Sequence, residues 1–231
     1  MNSMAEWMDL GNPFPRPVPN CYTPITWPKG NVIQLPLTIT AEERQESAIN
    51  ILLRRRTRRQ FSDISLDSLG ALLWISCHTQ ELGSDHLGFP LSRRPCPSGG
   101  AIHPIHLLVL LPQEDCWYRY DPNQHVLHET PSKLEATIVK SSMQNIVTAP
   151  SATLFILAAE PGMTAAKYEA SASLVWRDAG VMLGVLAIAA EALDLSFCPL
   201  GVTGEPWVSQ LLEQPGLSGV GGAFVGTTPS S

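Results

Sequence analysis

Five of the 11 arginines in this 231-residue chain fall within six positions, Arg54-Arg55-Arg56-Thr57-Arg58-Arg59, although the formal net charge is −6. Positive charge gathered at one place in an acidic chain points to one bound anion. The planar, permanently charged guanidinium grips phosphate oxygens at two points, and a threonine hydroxyl among the forks adds a short, directional donor. A solvated basic face is the competing reading of such a run. Two HxxH pairs, His103/His106 and His125/His128, invite a metal reading. Both fall in segments that read as strands, where residues three apart point to opposite faces, so neither pair chelates readily and no metal site is expected. Ser98 lacks the GxSxG elbow of a hydrolase nucleophile. Gly219, Gly221 and Gly222 neither fit GxGxxG nor precede a Walker-type lysine.

The hydrophobic pattern gives the elements that must carry these residues. Residues 1–38 are proline-rich, a spacing that denies regular helix or central strand and reads as an extension wrapping a surface. Residues 39–231 read as a single domain. Thr40, with Glu43 three residues later, forms a capping-box pattern for a helix running through Ala48, Ile51 and Leu52 toward the arginines. The arginines then lie at the C-terminal end of a helix, where the dipole gives an anion no help and the side chains must supply the attraction. A second helix is expected from Ser65 to Ser76, followed by a polar loop from His78 to Ser92. Strands are expected at 105–111, at 117–120 and 126–128 around the turn Asp121-Pro122-Asn123, at 152–159, at 197–199 and near 222–226. No proline interrupts 164–193, which predicts one long helix, apolar on every side at its centre and therefore buried all round. A short helix is expected over 207–213. Without a βαβ rhythm, the mixture predicts an α+β fold.

With 44% hydrophobic and 16% charged residues, the chain can bury a sizeable core. One basic hexapeptide in an acidic chain lacks the footprint of a nucleic-acid-binding domain. The five cysteines are odd in number and never form CxxC, which disfavours a disulfide framework or a structural zinc site; reduced thiols in a cytoplasmic protein are the simplest account. Residues 1–20 show no apolar core behind a positive region, and the longest apolar run, 179–190, falls short of the ~20 residues that span a bilayer. A soluble, cytoplasmic protein is expected, with neither nucleic acid nor membrane as partner.

Three segments, read in order, carry a family resemblance. Arg55-Arg56-Thr57-Arg58-Arg59-Gln60-Phe61 resembles the RRSxRxF signature of the FMN-dependent nitroreductase superfamily, with Thr57 in the serine position. Arg94 to Pro104 is similar to the RxxPSxGAxxP segment of its azoline-dehydrogenase branch, and Lys167-Tyr168 matches that branch's Lys-Tyr pair. Leu35-Pro36, Tyr118-Arg119-Tyr120-Asp121-Pro122, Asp178-Ala179-Gly180 and Cys198-Pro199-Leu200-Gly201 follow in the expected order, so the resemblance covers residues 32 to 226.

The resemblance implies a nitroreductase-like fold, a mostly antiparallel sheet flanked by helices, and a homodimer with FMN at its interface. It implies that Arg55, Thr57 and Arg59 contact the FMN phosphate and ribityl chain, while Arg54, Arg56 and Arg58 inherit no role and read as a solvated helix end. The turn Pro97-Ser98-Gly99-Gly100 would approach the flavin from the neighbouring subunit, glycine letting backbone N–H groups come close to a flat ring. Pro199-Leu200-Gly201 would run past the isoalloxazine edge, where fixed donors near N5 stabilise developing negative charge. Oxidising a thiazoline or oxazoline to its aromatic azole removes a proton from the ring carbon α to the carbonyl and a hydride, destined for flavin N5, from the neighbouring carbon. A base must therefore oppose the flavin. By resemblance it is Lys167, partly desolvated at the head of a buried helix, or Tyr168, whose phenolate the lysine stabilises.

Two departures from the pattern stand out. Relatives place an acidic pair before the closing strand and a basic residue after it, where this chain has Gly219-Val220-Gly221-Gly222 and Thr227-Thr228. His106 stands where the azoline branch has an acidic residue. The expected function is oxidation of azoline rings in a peptide or carrier-bound natural product, with dioxygen reoxidising the flavin and a cyclodehydratase or peptide synthetase as working partner. An NAD(P)H-dependent reductase of nitro compounds or quinones is one alternative. A flavin-free scaffold that binds a peptide for a partner synthetase is the other.

Overall fold

The run Leu107-Leu108-Val109-Leu110 shows no alternation, as expected of a strand covered on both faces. A computed structural model, describing residues 8–40 and 45–229, bears this out. The elements begin with β1 (Phe14–Pro15), β2 (Val32–Gln34), α1 (Ala48–Arg54), α2 (Leu66–Cys77), β3 (Glu81–Leu82) and β4 (Ser92–Arg93). After a single 3₁₀ turn at Gly99–Ala101 come β5 (Ile105–Leu110), β6 (Tyr118–Asp121), β7 (Val126–Glu129), α3 (Ala136–Gln144) and β8 (Thr153–Ala159). The chain closes with α4 (Pro161–Lys167), β9 (Tyr168–Glu169), α5 (Ala172–Ala192), β10 (Leu195–Leu200), α6 (Trp207–Gln210) and β11 (Ser218–Thr227).

Seven strands form one sheet in the order β10-β11-β8-β5-β6-β7-β2, every neighbouring pair antiparallel. Successive side chains alternate between its faces. Leu107 and Val109 of β5, with Phe155 and Leu157 of β8, meet Leu69, Leu72 and Leu73 of α2 and Val175, Ala179, Met182 and Leu186 of α5. Leu108, Leu110, Leu154 and Ile156 point the other way, against Ala136, Val139 and Met143 of α3 and Val208 of α6. The expected α+β architecture is observed: an antiparallel sheet between two helical layers. The proline-rich N-terminal segment contributes an edge strand, β2, paired with β7.

α2 begins where expected, with the Ser65 hydroxyl accepting the Ser68 N–H at 3.1 Å as an N-cap. The Glu43 half of the capping box lies outside the described residues, and α1 starts from Ser47 as N-cap. The loop expected over 78–92 contains the small β3–β4 hairpin.

The single helix expected over 164–193 is instead two. α4 stops at Lys167, Tyr168-Glu169 pairs with Phe14-Pro15, Ala170 takes φ +49°, and α5 starts at Ala172. The reason lies 150 residues away in sequence. The last carbonyls of α4 are taken by the N-terminal segment, with Arg16 N–H donating to Lys167 O, Arg16 Nε to Ala165 O and Asn20 N–H to Ala166 O. A helix end so capped has no need to continue. Nor is α5 buried all round: Trp176, Val181 and Ile188 are exposed, on the face that also carries Gly180 and Gly184. By length and composition alone α5 could cross a membrane. Here it packs one face on α2 and the sheet and buries two carboxylates, Asp178 and Glu191.

Candidate functional site

The arginine run leaves α1 at Arg54 and continues extended, with the Arg58 N–H donating to Phe197 O so that the segment lies along β10. Arg54 and Arg58 both reach Glu191 near the end of α5. Arg54 Nε donates to Glu191 Oε1 at 3.1 Å and Nη2 to the Glu191 carbonyl at 2.9 Å; Arg58 Nη2 donates to the same Oε1 at 2.8 Å and Nη1 to Leu195 O at 3.0 Å. Glu191 is 2% exposed. Arg58, half-buried against Glu191, departs from the expected solvated helix end; Arg54 stays exposed there, though paired with both Glu191 and Glu46. Arg56 is exposed.

Arg55 and Arg59 are exposed and make no ion pair among the described residues, and Thr57 sits half-buried between them. In an extended segment residues two apart share a side, so the clamp on Arg58 sets the attitude of its odd-numbered neighbours. Arg59 lies close enough to Cys198 to draw its thiol pKa down against the larger upward push of burial. Cys198 precedes Pro199-Leu200-Gly201. Pro199 and Gly201 are exposed, and nothing stands within 4 Å of where a Gly201 Cβ would be. The structure thus gathers Arg55, Thr57 and Arg59 at one end of α5, and the 199–201 segment follows farther along β10, where Leu200 pairs with Gly222.

The second set gathers at the other end. Ser98 Oγ donates to Asp178 Oδ2 at 2.6 Å, the Gly99 N–H donates to Asp178 Oδ1 at 3.0 Å, and the His103 N–H donates to Ser98 Oγ at 3.0 Å. Asp178, buried in α5, locks the turn in place. The Ser98 hydroxyl and Gly99 N–H are thereby committed within the chain. Gly100 takes φ +72°, and a Cβ there would lie 2.8 Å from the Tyr168 hydroxyl and 3.0 Å from Lys167 Nζ. Lys167 Nζ stands 3.5 Å from Gly100 O and 5.7 Å from the Tyr168 ring centre. Lys167 and Tyr168 are both half-buried. Lys167 is the last residue of α4, not the head of the long helix, and its backbone carbonyl faces Arg16.

Asp178 and Glu191 are 13 residues apart on one helix, about 20 Å at 1.5 Å per residue. The arginine end and the lysine–tyrosine end of a single chain are therefore separated by most of the length of α5. Reading the sequence gave no role to Asp178 or Glu191. The available signal was their position, two carboxylates within a 21-residue helix that is apolar apart from them, Ser173 and Arg177.

The four histidines of the HxxH pairs each have other company. His103 Nε2 is 2.9 Å from Ser92 O, His106 Nε2 2.8 Å from Glu160 Oε2, His125 Nδ1 2.9 Å from the Tyr120 hydroxyl and His128 Nε2 3.5 Å from Asp121 Oδ2. Burial, reinforced by the charge of Arg94, pushes the His103 pKa down to about 4. Among the described residues no group of three or more His, Cys, Asp or Glu side chains is arranged to hold a metal ion.

The nitroreductase family profile matches residues 52–226. Comparison with the curated proteins gives no significant match. Among solved structures, the chain is similar to a putative nitroreductase from Ralstonia eutropha JMP134, with a TM-score of 0.62 and 20% identity over 95% of this chain and 100% of that one. It is also similar to a putative nitroreductase from Anabaena variabilis, with a TM-score of 0.65 and 16% identity over 86% of this chain, although it spans only 42% of that longer protein. A chain of the E. coli microcin synthetase McbBCD complex, with truncated pro-MccB17 bound, superposes with a TM-score of 0.61 and 16% identity over 86% of this chain and 76% of that one. At these identities the likeness is one of fold.

Proposed function

Because the chain belongs to the nitroreductase family of oxidoreductases, we propose that it is an FMN-dependent dehydrogenase that oxidises thiazoline or oxazoline rings presented on a peptide or carrier. The observation that carries the reading is the division of labour among the arginines. Glu191 consumes Arg54 and Arg58, leaving Arg55 and Arg59, with Thr57 between them, as exposed cations without a counter-ion among the described residues. Such a set fits a terminal phosphate. Arg55, Thr57 and Arg59 hold the FMN phosphate and ribityl chain, and the 199–201 segment lines the ring edge. Bound FMN supplies the hydride acceptor.

The site is shared between two copies of the chain. The turn beside Lys167 and Tyr168 is anchored at Asp178 and the arginines at Glu191, two points about 20 Å apart along α5, so a partner subunit brings its own pair to the flavin that these arginines hold. The exposed face of α5 suits that arrangement, because Gly180 and Gly184 leave open space beside Trp176 and Ile188 for a second helix to approach. Lys167 or Tyr168 takes the proton from the ring carbon α to the carbonyl. Gly100 leaves room beneath their polar ends, and Asp178 fixes Gly100 through the turn.

The likeness to a chain of the microcin synthetase McbBCD complex, solved with truncated pro-MccB17 bound, supports a synthetase partner. Lys167→Ala tests the assignment. The variant is expected to stay yellow with bound FMN while turnover of a thiazoline peptide falls by about 10²-fold or more. Wild-type turnover in that variant removes Lys167 from the mechanism, and a colourless wild-type protein that ignores added FMN defeats the whole reading.

A further inference from the structure

Under β5 and β6 lies a cavity of about 140 Å³ whose polar wall comprises Arg94, Arg119, His103, His106, Tyr120 and Asp121. Two guanidiniums face it without matching carboxylates. The Arg119 side chain makes no hydrogen bond or ion pair among the described residues: its Nε is buried and unpartnered, and its guanidinium carbon rests 5.1 Å over the ring of Trp27. Among the described residues the Arg94 side chain donates only to Ser92 Oγ, at 3.0 Å. The carboxylates nearby are already engaged. Glu160 accepts from Tyr22 Oη at 2.9 Å, the Ile25 N–H at 2.7 Å and His106 Nε2, while Asp121 accepts the N–H groups of Asn123 and Gln124.

A half-buried guanidinium without a counter-ion costs free energy that a folded chain ordinarily avoids. Burial depresses the pKa of both arginines, only partly offset for Arg119 by the fields of Asp121 and Glu160. His103 is pushed down by burial and then by the charge of Arg94, and His106 by burial, which outweighs the upward pull of Glu160, so at neutral pH neither imidazole competes as a cation. Asp121 and Glu160 supply negative charge nearby, but among the described residues neither accepts a hydrogen bond from either guanidinium. A bound oxyanion would supply the missing acceptors.

We propose that Arg94 and Arg119 together bind one small oxyanion, a carboxylate or phosphate group, in this interior cavity. The volume decides the size class: at about 30 Å³ per water it holds four or five waters, enough for one such group and far too little for a nucleotide or flavin. The site is distinct from the flavin phosphate grip. Arg119 lies on β6, four strand spacings from β10 in the sheet order, or about 19 Å. It adjoins the turn end of α5, since Arg94 and His103 also line a groove with Pro97, Ser98 and Ala101.

The test uses full-length protein carrying Arg55→Gln and Arg59→Gln, which silences the other arginine site whether or not that site holds FMN. This protein is titrated with sodium phosphate and with sodium acetate against chloride at matched ionic strength, by calorimetry and thermal melting. At least one oxyanion is expected to bind saturably and raise Tm. Arg119→Gln or Arg94→Gln in the same background should weaken it by about tenfold or more, and Arg119→Lys, which keeps the charge but not the fork, by less. Binding of phosphate alone identifies a phosphoryl ligand and binding of acetate alone a carboxylate; either supports the site. Equal responses to all three salts, or affinity unchanged in both glutamine variants, overturns it.

Discussion

Replacing Glu191 by Gln removes one negative charge from beneath the arginine run while keeping the side chain's size. In the wild type the buried Oε1 accepts Arg58 Nη2 at 2.8 Å, and Arg58 is itself mostly covered. A charge-assisted hydrogen bond of this kind contributes about 1.5–3 kcal/mol, and the amide oxygen of Gln retains a weaker acceptor. Arg54 is exposed, so solvent screens its share. A loss of about 2 kcal/mol follows, which in a domain of this size lowers Tm by about 4–8 °C. The functional loss should be larger than the stability loss alone implies. Once Arg58 is released, Arg55, Thr57 and Arg59 lose the fixed attitude that makes them a phosphate grip, and FMN affinity should fall by about tenfold or more. Flavin fluorescence titration and thermal melting of Glu191→Gln and Arg56→Gln give the answer together, with Arg56→Gln expected to leave both values near wild type. Wild-type flavin affinity in Glu191→Gln, or an equal loss in Arg56→Gln, would refute the anchoring argument.

Two other consequences are direct. His103 has a folded-state pKa of about 4, below the ~6.5 of an unfolded imidazole, so the folded chain holds fewer protons between these values. Its contribution is complete above pH ~6.5 and is lost as pH falls toward 4, on the order of 3 kcal/mol in all. His103→Gln should flatten that part of the stability–pH curve measured by urea unfolding; an unchanged curve contradicts the assignment. Gly100→Ala puts a methyl group 2.8 Å from the Tyr168 hydroxyl and 3.0 Å from Lys167 Nζ at a positive φ. It should cost about 1–2 kcal/mol of stability and reduce kcat by displacing the pair, while FMN affinity stays near wild type; a weakened FMN affinity with unchanged kcat would sink it.

Much of the fold was legible because its signals are local. The α2 N-cap at Ser65, the β6–β7 hairpin around Asp121-Pro122-Asn123 and the two-faced burial of β5 each depend on neighbours within a few residues. The break between Lys167 and Ala172 was not legible. Nothing in 164–193 stops a helix, and what ends α4 is Arg16 and Asn20, delivered by a segment whose prolines announce only that it is extended. The site shows the same division. The spacing Arg55-x-Thr57-x-Arg59 fits an extended phosphate grip, but that Arg54 and Arg58 are its anchors depends on Glu191, and that Ser98 and Gly99 are locked depends on Asp178. Both carboxylates stand in one largely apolar helix, where an acid has to find a partner, so they could have been singled out before their partners were known. The sequence places Arg119 in a hairpin and within the Tyr118–Pro122 segment of the family resemblance, without assigning it a role. That its guanidinium faces a cavity beside Arg94 is a property of sheet register.

The central claim is that one site is built from the arginine end of one chain and the lysine–tyrosine end of another. Subunit mixing tests it most directly. Arg55→Gln/Arg59→Gln protein and Lys167→Ala protein, each inactive alone, are unfolded, mixed in equal amounts, refolded with FMN and assayed on a thiazoline peptide. In a symmetric dimer half the molecules are then mixed, and each mixed dimer carries one site with every residue intact, so activity should recover to roughly a quarter of wild type. Refolded mixed dimers that remain as inactive as their parents would mean that the arginines and Lys167 serve the same site from within one chain, or no common site at all.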